Sequence, residues 1–301
     1  MTDKYAVIGN PITHSKSPEI HRMFAQQTGQ DISYEKIEAP LDGFAATVER
    51  LRAEGYKGCN VTVPFKEHAY QLGAVGITIS RSEDVDNAKA ANTLKFSDGK
   101  IEVDNTDGVG LVRDLEQNLG VDLTGKRLLL MGAGGAARGV LLPLRRVLRR
   151  ADANITIANR TVDRARHLAR GTNVSICSYG ELADKSFDIV INATSTGLTD
   201  EMPPLPHRKQ IPLNPPFTKG EDKIPPFAKG GLGGIFAPGA LAYEMVYGRE
   251  TPFMRFAREQ GAAIVSDGLG MLVEQAAEAF YIWRGVRPDT APVLAKLRET
   301  V

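Results

Sequence analysis

The chain has 301 residues, enough for two domains of ordinary size and a sizeable core. Charged residues make up 24%, and 37 Lys and Arg against 36 Asp and Glu leave a formal net charge of +1, so no global field points to nucleic acid or an anionic membrane. Two cysteines, Cys59 and Cys177, are too few for a disulfide framework, and the five histidines show no metal-ligand spacing. No apolar run approaches the roughly 20 residues of a membrane span. The start, Met-Thr-Asp-Lys-Tyr, lacks the basic opening and long apolar run of a signal peptide. The expectation is a soluble, reduced, cytoplasmic protein.

Lys4–Gly9 reads as a first strand that ends in the turn Asn10-Pro11. His14-Ser15-Lys16-Ser17-Pro18 follows, and then a helical pattern through Ile20, Phe24 and Ala25. Ser17 before Pro18 reads as an N-cap with proline at the first helical position. Ser15 and Ser17 also place two hydroxyls beside open helix-start N–H groups, a fit for a small carboxylate. A second strand–helix pair is expected at Ile32–Ile37 and Leu41–Glu54. In Gly58-Cys59-Asn60-Val61-Thr62-Val63-Pro64-Phe65-Lys66, strand alternation sends Val61 and Val63 to one face and Asn60 and Thr62 to the other. Pro64 stops that strand and delivers Lys66 at its end, where the ordinary reading is a solvated surface charge. Asn92-Thr93 and Asp104-Asn105-Thr106-Asp107-Gly108 continue the polar theme, the latter run as turn formers.

A different pattern begins at Leu128. A short apolar run meets Gly132-Ala133-Gly134-Gly135-Ala136-Ala137, and a helical pattern follows at once. This is the strand–turn–helix that opens a dinucleotide-binding βαβ unit, in the form G-x-G-x-x-A. Gly132 permits the tight turn, Gly134 a close approach to pyrophosphate, and Ala137 a tight fit of helix to strand. The first-turn N–H groups then face the phosphates. The helix Gly135–Arg150 contains Pro143, which is expected to kink it or shift its hydrogen bonding. Ala153–Thr161 reads as the second strand. An NAD site usually has Asp or Glu near this strand's end. Here the slot is Asn159-Arg160-Thr161, with Arg164 one helical step on, which suits the 2′-phosphate of NADP. The ordinary readings are an N-cap for Thr161 and a surface charge for Arg160. Strands at Val174–Ser178 and Phe187–Ala193 extend a parallel, doubly wound sheet. Asn192-Ala193-Thr194-Ser195-Thr196-Gly197 lies past a strand's carboxyl end, where such sheets bind ligands. Pro203–Gly239 is rich in Pro, Gly and Lys, with a near-repeat at Pro215 and Pro225, and reads as an exposed inserted loop at about 205–238. A strand at Gly239–Tyr247, a helix at Thr251–Gln260, a short strand at Ala263–Val265 and a long amphipathic helix at Gly270–Arg284 complete the chain.

Taken together, Ser-Lys-Ser-Pro, Asn-Val-Thr-Val-Pro-Phe-Lys, Asn-Thr, Asp-Asn-Thr-Asp-Gly, Gly-Ala-Gly-Gly-Ala-Ala, Asn-Ala-Thr-Ser-Thr-Gly and Asp267–Ala276 resemble shikimate dehydrogenases, in order and over nearly the whole chain. The resemblance implies an α/β fold of two domains: an N-terminal α/β substrate domain and a Rossmann-type doubly wound nucleotide-binding domain, with C-terminal helices returning to the first. Residues 1–106 and 269–301 would form the substrate-binding catalytic domain, and 107–268 the NADP-binding domain. The implied activity is reversible NADPH-dependent reduction of 3-dehydroshikimate to shikimate, in aromatic amino acid biosynthesis. Lys66 and Asp107 are the implied catalytic pair. Ser15 and Ser17 would hold the carboxylate, with Tyr243 reaching over, and Asn60, Thr62, Asn92 and Gln275 would hold hydroxyls. The implied NADP contacts are Gly132, Ala133, Gly134, Gly135, Ala136, Asn159, Arg160, Thr161, Arg164, Thr194 and Gly268. No metal is required. Lys66 as proton donor and Lys66 as electrostatic stabiliser both remain open, as do monomer and homodimer.

The chain also departs from the family. Lys89-Ala90-Ala91-Asn92-Thr93 stands where Gly-Ala-Val-Asn-Thr is usual, Gly73–Ala88 looks altered and a few residues long, and Glu244 replaces an Asp. One rival reading is a quinate/shikimate dehydrogenase. A methylenetetrahydrofolate dehydrogenase would leave Ser15, Ser17 and Gln275 unexplained together. A non-catalytic ligand sensor should have lost Lys66 or Asp107.

Overall fold

The computed structural model describes residues 2–73, 77–148, 155–206 and 234–300. Most of the insertion expected at about 205–238 therefore lies outside the described residues, as do Arg149 and Arg150. Contacts divide the chain into two compact units: Met1–Thr124 with Gly134–Arg150 and Gly268–Val301, and Gly125–Ala133 with Ala151–Asp267.

The first unit carries a six-stranded mixed sheet of β1 (Asp3–Gly9), β2 (Ile32–Glu38), β3 (Gly58–Val61), β4 (Thr78–Arg81), β5 (Thr93–Ser97) and β6 (Lys100–Asp104), in the order β2-β1-β3-β5-β6-β4. β1 pairs in parallel with β2 and β3, while β5 runs antiparallel to β3 and β6. Alternation along β1 sends Ala6 and Ile8 into one core, with Phe44, Val48, Leu51 and Phe65, and Tyr5 into another with Ala279 and Trp283. Its helices are α1 (Ser17–Thr28), α2 (Phe44–Ala53), α3 (Lys66–Tyr70), α4 (Glu83–Ala88), α5 (Asp107–Arg113) and α6 (Gly135–Leu148). A π-helical turn, Asp114–Asn118, continues α5. The second unit has α7 (Val162–Leu168), α8 (Thr196–Thr199) and α9 (Pro252–Glu259), and the chain ends in α10 (Leu269–Arg284) and α11 (Ala291–Arg298), back in the first. Gly58 makes the seat for α10: a Cβ there would lie 2.6 Å from Trp283 Nε1 and 2.5 Å from the Leu94 carbonyl, the same two groups that hydrogen-bond at 3.0 Å.

The second unit carries a wholly parallel sheet of β7 (Leu128–Met131), β8 (Ile155–Ala158), β9 (Ser175–Cys177), β10 (Phe187–Asn192), β11 (Phe236–Glu244) and β12 (Ile264–Ser266), in the order β12-β11-β10-β7-β8-β9. This is the strand order of the doubly wound dinucleotide-binding fold. Leu129, Met131, Val190 and Ala242 build its core with Phe253 and Phe256 of α9.

Several local expectations give way. Lys16, not Ser17, holds the cap position of α1 and makes no side-chain cap bond, since an ammonium has no acceptor; the Ser17 N–H donates to Ser15 Oγ at 3.3 Å. β11 ends at Glu244 instead of Tyr247. Asp107 and Gly108 are not turn residues; they begin α5. A Cβ on Gly108 would fall 2.2 Å from Pro143 Cγ and 2.7 Å from the Gly139 carbonyl, and one on Gly110 would fall 2.8 Å from the Gln275 backbone N. The two glycines let α5 pass between α6 and α10, so both helices group with the first unit. Residues 107–124 and 134–150 are thus grouped by their contacts with the first unit. α6 continues through Pro143, whose ring and the Gly139 carbonyl it cannot hydrogen-bond face Gly108. Arg146 of α6 ion-pairs with Glu83 and Asp84 of α4, tying the altered 73–91 segment to that helix.

Candidate active site

The carboxyl end of β3 hands the chain through Thr62 to Pro64 and then to α3, so Lys66 begins a helix instead of lying on an exposed loop. Its Nζ donates to Asp107 Oδ2 at 2.5 Å, and the two side chains are 21% and 7% exposed. A lysine this shielded beside a nearly buried carboxylate is a weak candidate for a solvated surface charge. Asp107 is further fixed by Asn105, whose Oδ1 accepts from the Asp107 N–H at 3.1 Å.

Asn92 is the hub. Its Nδ2 lies 2.9 Å from Asp107 Oδ1, 3.0 Å from Thr106 Oγ1 and 3.2 Å from Gln275 Oε1. Its Oδ1 accepts from the Thr106 N–H, the Thr106 hydroxyl and the Thr93 hydroxyl. The altered residues before Asn92 are anchored to the same group: the Asn105 amide donates to the Ala90 carbonyl, and the Ala91 N–H donates to the Lys66 carbonyl. Asn60 joins the hub through Nδ2, which donates to the Asn92 carbonyl and to Thr93 Oγ1. Thr62 sits at the end of β3 with its methyl group against Gly9, where a Cβ would come within 2.6 Å. Ser15 donates to Ser17 Oγ at 3.2 Å. Lys66, Asp107, Asn92, Gln275 and Asn60 thus form one hydrogen-bonded group in the first unit.

Three residues given no site role from the sequence complete this group. Thr93 and Thr106 supply hydroxyls, and Tyr34 of β2 donates its hydroxyl to Asn60 Oδ1 at 2.7 Å. The signal for Tyr34 was its place in the alternation with Ile32, which puts both on the Tyr5 and Trp283 side.

Tyr243 lies in the second unit, buried near the end of β11. The next residue, Glu244, accepts from Asn192 Nδ2 at 2.8 Å, the Thr251 hydroxyl at 2.9 Å and the Val246 N–H at 3.1 Å. Burial raises its pKa, and those hydrogen bonds oppose the rise. Asn192 in turn accepts from the Thr194 N–H and hydroxyl. Glu244 thereby organises the loop after β10, and α8 begins within it.

The corner residues fit a dinucleotide. Gly132 has φ +106°, and its missing Cβ leaves the Ala193 carbonyl 2.9 Å away. Gly134 and Gly135 have nothing within 4 Å of where a Cβ would lie, which is room for a pyrophosphate. Ala133 is buried and Ala136 lies in the first turn of α6. Beyond β8, Asn159 Nδ2 donates to the Thr161 carbonyl, and Thr161 occupies the cap position of α7 without a side-chain cap bond. Arg160 and Arg164 are exposed, and among the described residues neither forms an ion pair. Gly268 caps α10. Among the described residues, no cluster of His, Cys, Asp or Glu could hold a metal, and no helix is long and apolar enough to cross a membrane.

A chain with a parallel sheet of this order, a glycine corner after its first strand and a shielded lysine–carboxylate pair is of the dinucleotide-dependent α/β dehydrogenase class. Family comparisons narrow that class. The shikimate dehydrogenase substrate binding domain matches residues 7–94, the shikimate / quinate 5-dehydrogenase family 114–199, and the shikimate 5′-dehydrogenase C-terminal domain 268–298. The shikimate dehydrogenase (NADP(+)) of Methylobacillus flagellatus is 56% identical over 98% of this chain and 99% of its own length. An Ael1 enzyme from Pseudomonas putida superposes with a TM-score of 0.82 at 47% identity, covering 98% of each chain. Shikimate 5-dehydrogenase from Thermus thermophilus, solved in complex with NADP(H) and shikimate, superposes with a TM-score of 0.79 at 28% identity over 100% of each chain. The chain belongs to the shikimate dehydrogenase family.

Proposed function

We propose that this chain is an NADP-dependent shikimate dehydrogenase that reversibly reduces 3-dehydroshikimate to shikimate. The observation that carries the reading is the Lys66–Asp107 pair, shielded from water and fixed by Asn92. NADPH, when bound, supplies a hydride from C4 of its nicotinamide. The residues of the chain supply the rest. Reducing the ring ketone requires a proton to reach its oxygen as the hydride reaches its carbon, and the Lys66–Asp107 pair would hold that oxygen and pass that proton as a unit. Ser15 and Ser17 take the carboxylate, with Tyr243 as a further partner. Asn60, Thr62, Asn92 and Gln275 orient the ring hydroxyls.

Residues Gly132 to Ala136 are assigned to the pyrophosphate, with the α6 N-terminus as the anion site. Arg160 and Arg164, with Asn159 and Thr161, are assigned to the 2′-phosphate, and Thr194 and Gly268 to the remainder of the cofactor. The open arginines favour NADP over NAD, since an acidic residue would be needed there to hold a free ribose hydroxyl. Residues 1–106 and 269–301 are read as the substrate side, and 107–268 as the cofactor side. A cytoplasmic enzyme, as monomer or homodimer, is the setting this reading implies.

The test is absorbance at 340 nm with shikimate and NADP⁺, beside NAD⁺ and quinate controls and the Lys66→Ala variant. NADPH formation that falls at least about 100-fold in the variant is the expected result, in keeping with loss of a general acid–base group. Turnover of quinate alone, or full activity in Lys66→Ala, overturns the reading.

A further inference from the structure

We propose that Tyr34 is a positioning residue for the substrate, its hydroxyl fixing Asn60 and joining the serine end of the site to the lysine end. The inference rests on the functional reading above and adds to it a residue outside the motifs that carry that reading.

Three observations support it. The first is a run of polar contacts. Ser15 donates to Ser17 Oγ at 3.2 Å, and Ser17 is among the polar groups that act on the Tyr34 phenol. Tyr34 donates to Asn60 Oδ1 at 2.7 Å, and Asn60 Nδ2 donates to Thr93 Oγ1 at 3.1 Å. Thr93 donates to Asn92 Oδ1 at 2.9 Å, and Asn92 donates to Asp107 at 2.9 Å. Asp107 meets Lys66. Among the described residues of that path, Tyr34 is the step between the two serines and the amide hub.

The second observation is the commitment of the Asn60 NH2 group, which leaves only Oδ1, with one lone pair beyond the Tyr34 bond, to meet a ring hydroxyl. Asn60 is 6% exposed, and its Nδ2 is committed to the Asn92 carbonyl and Thr93. The Asn92 carbonyl can only accept, so the amide cannot flip without facing oxygen to oxygen. Its Oδ1 then needs a donor, and Tyr34 supplies one. Without that donor a nearly buried acceptor is left short, and the amide gains freedom to turn.

The third is the way the ring is held. Tyr34 stacks on His21 with centroids 4.2 Å apart and planes 8° apart, and Trp283 flanks it at 6.3 Å. His21 is fully buried, and among the described residues neither ring nitrogen makes a hydrogen bond of good geometry, although the Asn60 side chain lies close enough to act on it. Burial pushes its pKa down to about 3, with Asn60 only partly opposing, so the imidazole stays neutral and offers a flat apolar face. Burial likewise pushes the Tyr34 phenol well above its ordinary range, so its O–H remains a donor. A ring clamped this firmly presents its hydroxyl to one place, and that place is Asn60.

Tyr34→Phe tests this, since it keeps the stack and deletes one oxygen. The expected result is a KM for shikimate raised about five- to twenty-fold, the size of one lost hydrogen bond with its acceptor stranded. The KM for NADP⁺ should stay at the wild-type value and kcat within about three-fold, while the melting temperature should fall by a few degrees because the stranded acceptor also weakens the folded state. A double-mutant cycle separates action through Asn60 from independent packing: in an Asn60→Ala background, Tyr34→Phe should add less than about two-fold. An unchanged shikimate KM in Tyr34→Phe, or fully additive effects in the cycle, overturns the inference. A wild-type enzyme inactive on shikimate instead overturns the functional reading beneath it.

Discussion

A Cβ on Gly108 would fall 2.2 Å from Pro143 Cγ, and one on Gly110 2.8 Å from the Gln275 backbone, whereas a Cβ on Gly134 or Gly135 would meet nothing within 4 Å. The same residue type serves opposite ends. In α5 it removes side chains so that three helices can close up, and the closure brings Asp107 and Gln275 to the Asn92 hub. After β7 it removes side chains so that space remains, beside N–H groups at a helix start that lack partners within the helix. Glycine in a motif therefore says only that a Cβ is unwelcome. The neighbours decide whether protein or ligand is the reason.

Substitution separates the two cases. Gly108→Ala should be the most damaging change. Alanine gains up to about 1 kcal/mol of helix propensity over glycine, but the contacts at Gly108 are a proline ring and a backbone carbonyl, which yield poorly. Overpacking of this kind costs about 1–3 kcal/mol, and here the upper end is expected because neither neighbour can rotate away. Both the melting temperature and kcat should fall, since Asp107 is the adjacent residue. Thermal unfolding and the 340 nm assay check this, and a wild-type melting temperature would show that α5 and α6 have slack between them. Gly134→Val makes the contrasting case. It should leave the melting temperature within the range of ordinary surface changes, about ±0.5 kcal/mol, and raise the KM for NADP⁺ about ten-fold or more. Loss of stability instead of cofactor affinity would place Gly134 with the packing glycines.

What could be seen in the sequence follows the same line. The second sheet was legible because each parallel strand is a short apolar run with a helical pattern after it, and Leu128–Gly135 marks the turn unmistakably. The substrate-side polar residues were legible as types: Lys66 after a proline, Asn60 and Thr62 on one strand face. Their wiring was not. Nothing local in the sequence shows that Asn92 binds Asp107, Thr106 and Gln275 at once, because Gln275 arrives from 183 residues further on. Asp107-Gly108 looked like a turn because Asp and Gly do favour turns, and only the neighbouring helices reveal why glycine suits a helix start here. Ser17 misled for a similar reason: Ser before Pro is a good cap pattern, yet the helix takes Ser17 in as its first residue and Lys16 stands at the cap position. Tyr34 carried no motif at all, only a position in an alternation.

The smallest expected effect belongs to the proposed 2′-phosphate contacts, where the proposed function assigns recognition to exposed charge instead of packing. Arg160 and Arg164 stand in solvent beyond β8, so neither is clamped as Lys66 is, and water and salt screen what they contribute. A guanidinium can hold a phosphate with two parallel hydrogen bonds, an arrangement worth several-fold in affinity even at an exposed site. Arg160→Gln should therefore raise the KM for NADP⁺ about ten-fold at low salt, and less at high salt. The KM for NAD⁺ should stay where it was, because NAD⁺ has no 2′-phosphate to lose. Steady-state kinetics with both cofactors at two ionic strengths decide the matter. If NADP⁺ and NAD⁺ weaken together, Arg160 acts on the shared part of the dinucleotide or on the shape of the loop; if neither moves, the discrimination passes to Arg164. A change confined to NADP⁺ and eroded by salt would show that this end of the site selects its ligand by charge, while the lysine end selects by a prearranged, water-shielded network.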